Sequence, residues 1–184
     1  TQMKWEIADI FQRMGFEVLE PLEVNTDYAN FESLNIPPDH PARDMWDTFW
    51  TREGYIPITH TSSMQNWIYR NRKPPIRAVV IGRCFRNEAT DAGHEHTFHQ
   101  IEGVYVDEGI TVAHLIETMR VFFSEFYGRE LKTKVRPSYF PFVEPGLELA
   151  IECVLCQGKG CSVCKQSGWL EILGCGQIHP FVLR

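Results

Sequence analysis

The sequence predicts an α+β domain in which an antiparallel sheet is flanked by helices. Three observations carry that prediction. Strand-like runs dominate the middle and end of the chain and follow one another as hairpins. Helical patterns are grouped instead of alternating with strands, which disfavours a doubly wound parallel sheet. Neither a P-loop nor a G-x-G-x-x-G turn is present, so a nucleotide would have to be held by side chains.

In chain order, residues 3–14 read as a helix, with Ile7, Ile10, Phe11 and Met14 on one face and Gly15 at the C′ position. Phe16–Glu20 follows as a strand. Residues 25–57 mix turn residues (Asn35-Ile36-Pro37-Pro38-Asp39) with aromatics and predict a long ordered loop plus a short strand around Thr48–Thr51. Thr61 starts a second helix, where Ser62 and Gln65 have capping-box spacing. Pro74-Pro75 stops it. Ile76–Arg86 and Phe98–Val106 read as strands, and the eleven residues between them, Asn87–Thr97, are too many for a tight hairpin turn. A third helix runs from an N-cap at Thr111 to Gly128. Its core face is Val112, Leu115, Ile116, Met119, Phe122 and Phe126. Leu131–Pro137, Phe140–Glu144, Gly146–Glu152 and Gly168–Leu173 complete the strands. No internal repeat is visible.

The 184 residues suit one domain and are 43% hydrophobic and 12% aromatic, a composition that excludes disorder and low complexity. No apolar run approaches the roughly 20 residues of a membrane span, and the start lacks a secretion signal, so the expectation is a soluble, cytoplasmic protein with no membrane partner. The formal charge of −6 has the wrong sign for gripping nucleic acid through bulk electrostatics.

The long hairpin holds the sharpest chemistry. Phe98, Gln100 and Glu102 project from one strand face with Ile101 on the other, and Arg86 and Glu88 share a face in the same way. Patterning alone leaves two readings open. One is a solvated sheet face with ordinary cross-strand ion pairs; the other is a site for a polyanion and an amine. His94 and the polar loop favour the second, since Arg forks onto phosphate and carboxylates hold ammonium.

Four of the six cysteines, Cys153, Cys156, Cys161 and Cys164, fall within twelve residues as two CxxC pairs. Without a secretion signal such a cluster reads as metal ligands before disulfides, and four thiolates suit a structural, tetrahedral Zn²⁺. A redox pair, incidental thiols or an iron–sulfur cluster are the competing readings. Cys84 and Cys175, on strand segments, read as buried small side chains.

Several ordered stretches carry a resemblance. They are His40-Pro41-Ala42-Arg43-Asp44-Met45-Trp46-Asp47-Thr48-Phe49; His60-Thr61-Ser62 with Met64-Gln65; Arg86 to Glu102; Arg136-Pro137-Ser138-Tyr139-Phe140-Pro141-Phe142; and Gly168-Trp169-Leu170-Glu171 with Gly174-Cys175-Gly176 and His179-Pro180. Arg86 to Glu102 resembles motif 2 of class II aminoacyl-tRNA synthetases, and the whole set is similar to the phenylalanyl-tRNA synthetase alpha-subunit family. That family activates phenylalanine with ATP and transfers it to tRNA(Phe).

The resemblance implies roles. Arg86 would contact the α-phosphate and act as the catalytic cation, His94 the outer phosphates, Glu88 the adenine amino group, and Phe98 would stack on the ring. His60, Ser62, Gln100 and Glu102 would hold the amino-acid end, with Trp46 close by. Phe140 and Phe142 would line the phenylalanine pocket, although plain core packing is equally allowed by their spacing. Glu144 would help hold Mg²⁺. A beta subunit in an alpha2-beta2 assembly is the implied partner, and the acidic charge places most tRNA contact elsewhere.

Two motifs depart from the family wording. Glu20-Pro21-Leu22-Glu23-Val24 stands for Gly-Pro-Glu-Val, and Thr61-Ser62-Ser63-Met64-Gln65 for Thr-Ser-Pro-Met-Gln. The family's third motif, with an ATP-binding arginine, is not reached before Arg184. Residues 1–184 are therefore expected to be a partial class II catalytic domain, with 153–164 as a four-cysteine insertion between two strands. The competing functions are a non-catalytic synthetase-like module that binds nucleotide or protein, and a paralogous class II synthetase. Phe140-Pro141-Phe142 argues against one for a phosphorylated amino acid, which would call for cations in the pocket.

Overall fold

A computed structural model describes residues 2–45, 47–88 and 95–184, leaving aside the side chain of Met45. Trp46 and His94, both expected at the site, lie outside the described residues. The chain forms two compact units, residues 1–110 with 180–184, and residues 111–179.

The first unit starts with helix α1 (Gln2–Arg13), which buries Ile7, Ala8, Ile10 and Phe11. Its end is fixed by a Schellman pair, Phe16 N–H to Phe11 O at 2.9 Å around Gly15 N–H to Gln12 O at 3.0 Å. Gly15 holds φ +85°, where a side chain would be strained. Strand β1 (Glu17–Leu19) then pairs with β4 (Ile76–Phe85), and β4 pairs in full antiparallel register with β5 (Thr97–Val106). The β1–β4 ladder is parallel, against the wholly antiparallel expectation. The chain between the two strands supplies the crossover that a parallel pair needs.

That crossover holds strand β2 (Val24–Asn25), helix α2 (Asp27–Asn30), strand β3 (Ile56–Pro57) and helix α3 (Gln65–Asn71). The strand expected at Thr48–Thr51 is absent; Thr51 begins a turn closed by its N–H to the Tyr55 carbonyl at 2.9 Å. The pairing falls instead on β3, where Ile56 is fully buried, as is Ile58 just beyond its end. Burial, more than aromatic alternation, sets that register.

Both faces of β4 are covered. Ala78 and Val80 pack with Met64, Ile68 and Val104, while Phe11, Phe16 and Tyr105 form an edge-to-face ring chain on the α1 side. Such two-sided burial explains why β4 reads as a nearly continuous apolar run.

The second unit opens with helix α4 (Val112–Tyr127), capped at Thr111 through a reciprocal box with His114 and ended by Gly128 at φ +65°. Phe122 and Phe123 are its buried residues, while Val112, Leu115, Ile116, Met119 and Phe126 are half-buried. Strands β6 (Thr133–Pro137), β7 (Val143–Glu152) and β8 (Trp169–Ile178) form an antiparallel sheet whose covered face holds Leu149 and Ile151. Phe140–Glu144 and Gly146–Glu152, expected as two strands, are instead a turn at Pro141-Phe142 followed by one strand through Pro145. A register shift between Val143 and Gly146 absorbs the proline, which cannot donate to the ladder.

Among the described residues no helix is long and apolar enough to cross a membrane.

Candidate functional site

The site of the first unit is built where β4 and β5 meet the turn of residues 61–64. Register places Cys84 opposite Phe98, Gly82 opposite Gln100 and Val80 opposite Glu102, so Phe98, Gln100 and Glu102 share one face, as the alternation predicts. The turn docks onto this row. The Thr61 N–H donates to Gln100 Oε1 at 3.1 Å, Ser62 Oγ donates to Glu102 at 3.0 Å, and Gln65 Nε2 donates to the other Glu102 oxygen.

The expected capping box between Ser62 and Gln65 therefore does not form. Both side chains bind Glu102, residues 61–64 form a 3₁₀ turn, and α3 begins only at Gln65. Tyr69, one helical turn on, donates to Gln65 Oε1 at 3.1 Å and orients it. Gln65 and Tyr69 are site residues that sequence reasoning missed. Their i,i+4 spacing was the available signal, but it has no meaning until Glu102 is known to lie opposite.

Arg86 is held from three sides. Its Nε donates to the Thr59 carbonyl at 3.2 Å, its guanidinium carbon lies 4.8 Å from the Phe98 ring centre, and Glu88 Oε1 lies 3.6 Å away. The Arg86 and Glu88 side chains remain 23% and 25% exposed, so the charge is positioned but accessible. Thr59 is in turn fixed by buried Asn30, whose Nδ2 donates to Thr59 Oγ1 at 3.0 Å. Asn30 acts on Arg86 at one remove, and no sequence motif announced it.

Electrostatics follow from burial. Desolvation pushes the Glu102 carboxyl above its usual range, although Gln65 and Ser62 donate to its charged form. An arriving ammonium would restore that charge, which is what a binding carboxylate needs. His60, its ring edge-on to Phe31, is held down to about 3 by burial and by the Arg86 charge, so its imidazole is neutral.

A depressed pKa of this kind contributes stability that is complete above the unfolded value of 6.5 and is lost as pH falls toward about 3. His60→Asn should therefore flatten the acid limb of the stability curve, removing up to about 1.4 kcal/mol per pH unit in that window relative to the parent protein. Chemical denaturation at a series of pH values reads the difference. Parallel curves would contradict the assignment.

Cys84 is fully buried, with its thiol pushed up to about 12 mainly by desolvation, and its Sγ lies 3.7 Å from Gln100 Oε1. Cys175 is half-buried and raised to about 11 by desolvation. Neither joins the cysteine cluster.

The second unit carries the other expected residues. The Phe140 and Phe142 rings lie 6.4 Å apart, tilted by 35°, brought together by the turn and not by strand alternation. Gly174 of β8 lies under Phe140: a Cβ there would come within 2.4 Å of Phe140 Cζ. On β6, Arg136 bridges Glu148 of β7 and Glu171 of β8, its Nη2 lying 2.8 Å from Glu171 Oε2. Glu144 is exposed and belongs to no group of three potential metal ligands among the described residues. One carboxylate nonetheless fits Mg²⁺, which takes one or two carboxylates and completes its shell with phosphates and water.

The four cysteines of the β7–β8 loop do converge. Their Sγ atoms all lie within 4.8 Å of one another, with Cys153–Cys161 and Cys156–Cys164 each at 3.8 Å and Cys161–Cys164 at 3.7 Å. Tetrahedral coordination at about 2.3 Å per bond requires sulfurs about 3.8 Å apart. Backbone amides of Gly160, Cys161 and Gly168 donate to the sulfurs of Cys156 and Cys164 at 3.1–3.3 Å. Burial opposes ionisation of Cys164, yet the Cys161 and Gly168 amides outweigh it and bring the thiol down to about 6.

Arg86 lies over Phe98, and Phe98 shares its strand face with the half-buried Glu102. The chain belongs to the family of class II tRNA synthetase core domains (F), whose model matches residues 1–184. A solved structure of pyrrolysyl-tRNA synthetase from Desulfitobacterium hafniense shares the fold, with a TM-score of 0.62 at 19% identity over 82% of this chain and 57% of that one.

The similar curated proteins are phenylalanine–tRNA ligase alpha subunits. This chain is 56% identical to that of Leptospira biflexa serovar Patoc, 49% to that of Caldicellulosiruptor bescii and 53% to that of Roseiflexus sp.. Each match takes in all of this chain; it spans 54%, 54% and 55% of those proteins, about half their length.

Proposed function

We propose that the chain is the catalytic core of a phenylalanine–tRNA ligase alpha subunit, which uses ATP to activate phenylalanine and passes it to tRNA(Phe) with a beta-subunit partner. The observation that carries this reading is one strand face of β5 that holds the Ser62–Gln65–Glu102 cluster at one end and Phe98, under Arg86, at the other: a half-buried carboxylate for an ammonium and an accessible guanidinium for a phosphate. The phenylalanine carboxylate attacks the α-phosphorus while the bond to the β-phosphate breaks and pyrophosphate leaves, a step that needs no protein nucleophile, only positioning and charge stabilisation.

In that reaction the Arg86 fork neutralises the α-phosphate, Phe98 stacks on the adenine and Glu88 accepts from its amino group. In the first unit Glu102, Gln100, Ser62 and neutral His60 hold the amino-acid end; in the second unit the Phe140–Phe142 pair offers the kind of tilted aromatic contact that a benzyl ring favours. His94 and Trp46 keep their proposed places at the outer phosphates and the amino acid. Bound Mg²⁺, held by Glu144 and the phosphates, would supply further neutralisation. The four thiolates hold one structural Zn²⁺, with no open position for substrate.

Titration of the full-length protein with a non-hydrolysable phenylalanyl-adenylate analogue tests the reading. Tight binding that Glu102→Ala abolishes is expected; equal binding of a seryl-adenylate analogue would refute it. The pocket has its own test. Gly174→Ala forces a methyl into the Phe140 ring at a strain of about 1–3 kcal/mol. It should raise KM for phenylalanine several-fold while leaving KM for ATP unchanged.

A further inference from the structure

The loop between β7 and β8 is a tandem of two eight-residue units, Cys153-x-x-Cys156-x-x-x-Gly160 and Cys161-x-x-Cys164-x-x-x-Gly168. The repeat escaped the expectation of none because its period is shorter than a typical secondary element. The backbone repeats with it. Gly160 N–H donates to Cys156 Sγ at 3.2 Å and Gly168 N–H to Cys164 Sγ at 3.3 Å. Lys159 N–H reaches Cys156 O at 3.1 Å, and Ser167 N–H reaches Cys164 O at 3.0 Å. The left-handed positions match in pairs: Gln157 with Lys165 (φ 52° and 49°), Gly158 with Gln166 (79° and 63°), and Gly160 with Gly168 (96° and 77°).

Each unit presents one aliphatic and one cationic side chain to solvent, the aliphatic ones at equivalent positions and the lysines not. Leu155 and Val163, at equivalent positions, are 68% and 59% exposed, so folding does not consume them. Lys159 and Lys165 are exposed as well, and no Asp or Glu occurs between 153 and 168 in a chain whose formal charge is −6. The two lysines offset the double negative charge of a divalent ion in four thiolates. Arg129, exposed and hydrogen-bonded to the Val154 carbonyl at 3.4 Å, adds a third cation at the base.

We propose that this twin knuckle contacts a single-stranded RNA segment, with Lys159 and Lys165 on its phosphates and Leu155 and Val163 against its base faces. The inference rests on the ligase reading, which supplies the RNA as the tRNA substrate. Two aliphatic side chains offer far less than the roughly 800 Å² per partner of a stable protein interface. RNA affinity instead comes from phosphate neutralisation, and zinc knuckles with splayed bases are a recurrent mode of single-strand recognition. The loop would thus give an acidic chain a local RNA contact.

The test uses full-length protein and a tRNA(Phe) transcript, with two double variants, Lys159→Gln/Lys165→Gln and Leu155→Ser/Val163→Ser. Both should raise KM for tRNA about threefold to tenfold, and the lysine variant should lower the salt dependence of log affinity by about 1.4–1.8, the loss of two phosphate contacts. Zinc content and phenylalanine-dependent pyrophosphate exchange should stay at parental levels. Parental KM and salt slope in both variants would overturn the proposal. So would loss of subunit assembly with tRNA affinity unchanged, which would mark a protein-docking surface. If the parent shows no phenylalanine activation, the ligase reading fails, and filter binding of the transcript by the same variants still decides the RNA contact.

Discussion

Arg86→Ala is expected to lower phenylalanine-dependent ATP–pyrophosphate exchange by at least about a hundredfold, the loss typical for a preorganised charge aimed at a reacting oxyanion. Arg86 is fixed by the Thr59 carbonyl, the Phe98 face and Glu88, so its charge is placed before substrate arrives. Arg86→Lys should not restore activity, because an ammonium can neither fork onto phosphate nor lie flat on the Phe98 ring. The midpoint of thermal unfolding should move little, since the lost hydrogen bond, ring contact and ion pair all belong to a partly exposed side chain. Exchange at the parental rate in Arg86→Ala would remove this residue from the chemistry.

The second large effect belongs to the cysteine cluster. Metal binding in small four-ligand sites supplies about 10–16 kcal/mol of apparent folding free energy. Among residues 153–168 only Cys153, Cys164 and Gly168 are buried, so beyond its backbone hydrogen bonds the loop would depend on a bound metal for order. Cys153→Ser or Cys164→Ser should abolish one equivalent of zinc, expose the loop to hydrogen exchange and free the β7–β8 end where Cys153 N–H meets Gly168 O at 2.9 Å. Cys175→Ser, outside the cluster, should leave zinc content unchanged. Zinc-free protein purified without chelator, with the loop still protected, would contradict the site.

Local patterns were the legible part of the sequence. The strand alternation of Phe98, Gln100 and Glu102, the Thr111 cap with Gly128, and the two CxxC pairs each depend on neighbours in sequence, and the structure bears them out. What required tertiary partners was not legible. Ser62 and Gln65 have capping spacing, but Glu102, thirty-seven residues beyond Gln65, takes both side chains instead. The parallel sense of β1 depends on the path of the crossover, and Pro145 divided on paper a strand that a register shift keeps continuous. Asn30 reaches Arg86 only through Thr59, a relay that no spacing encodes.

Activation of phenylalanine by the Ser62–Gln65–Glu102 cluster and Arg86 is read out by ATP–pyrophosphate exchange with the full-length protein and a panel of the standard amino acids. Exchange driven by phenylalanine, weakly by tyrosine and by no charged or small amino acid, is the expected result. Exchange driven equally by an unrelated amino acid, or none with phenylalanine at saturating ATP and Mg²⁺, would contradict it.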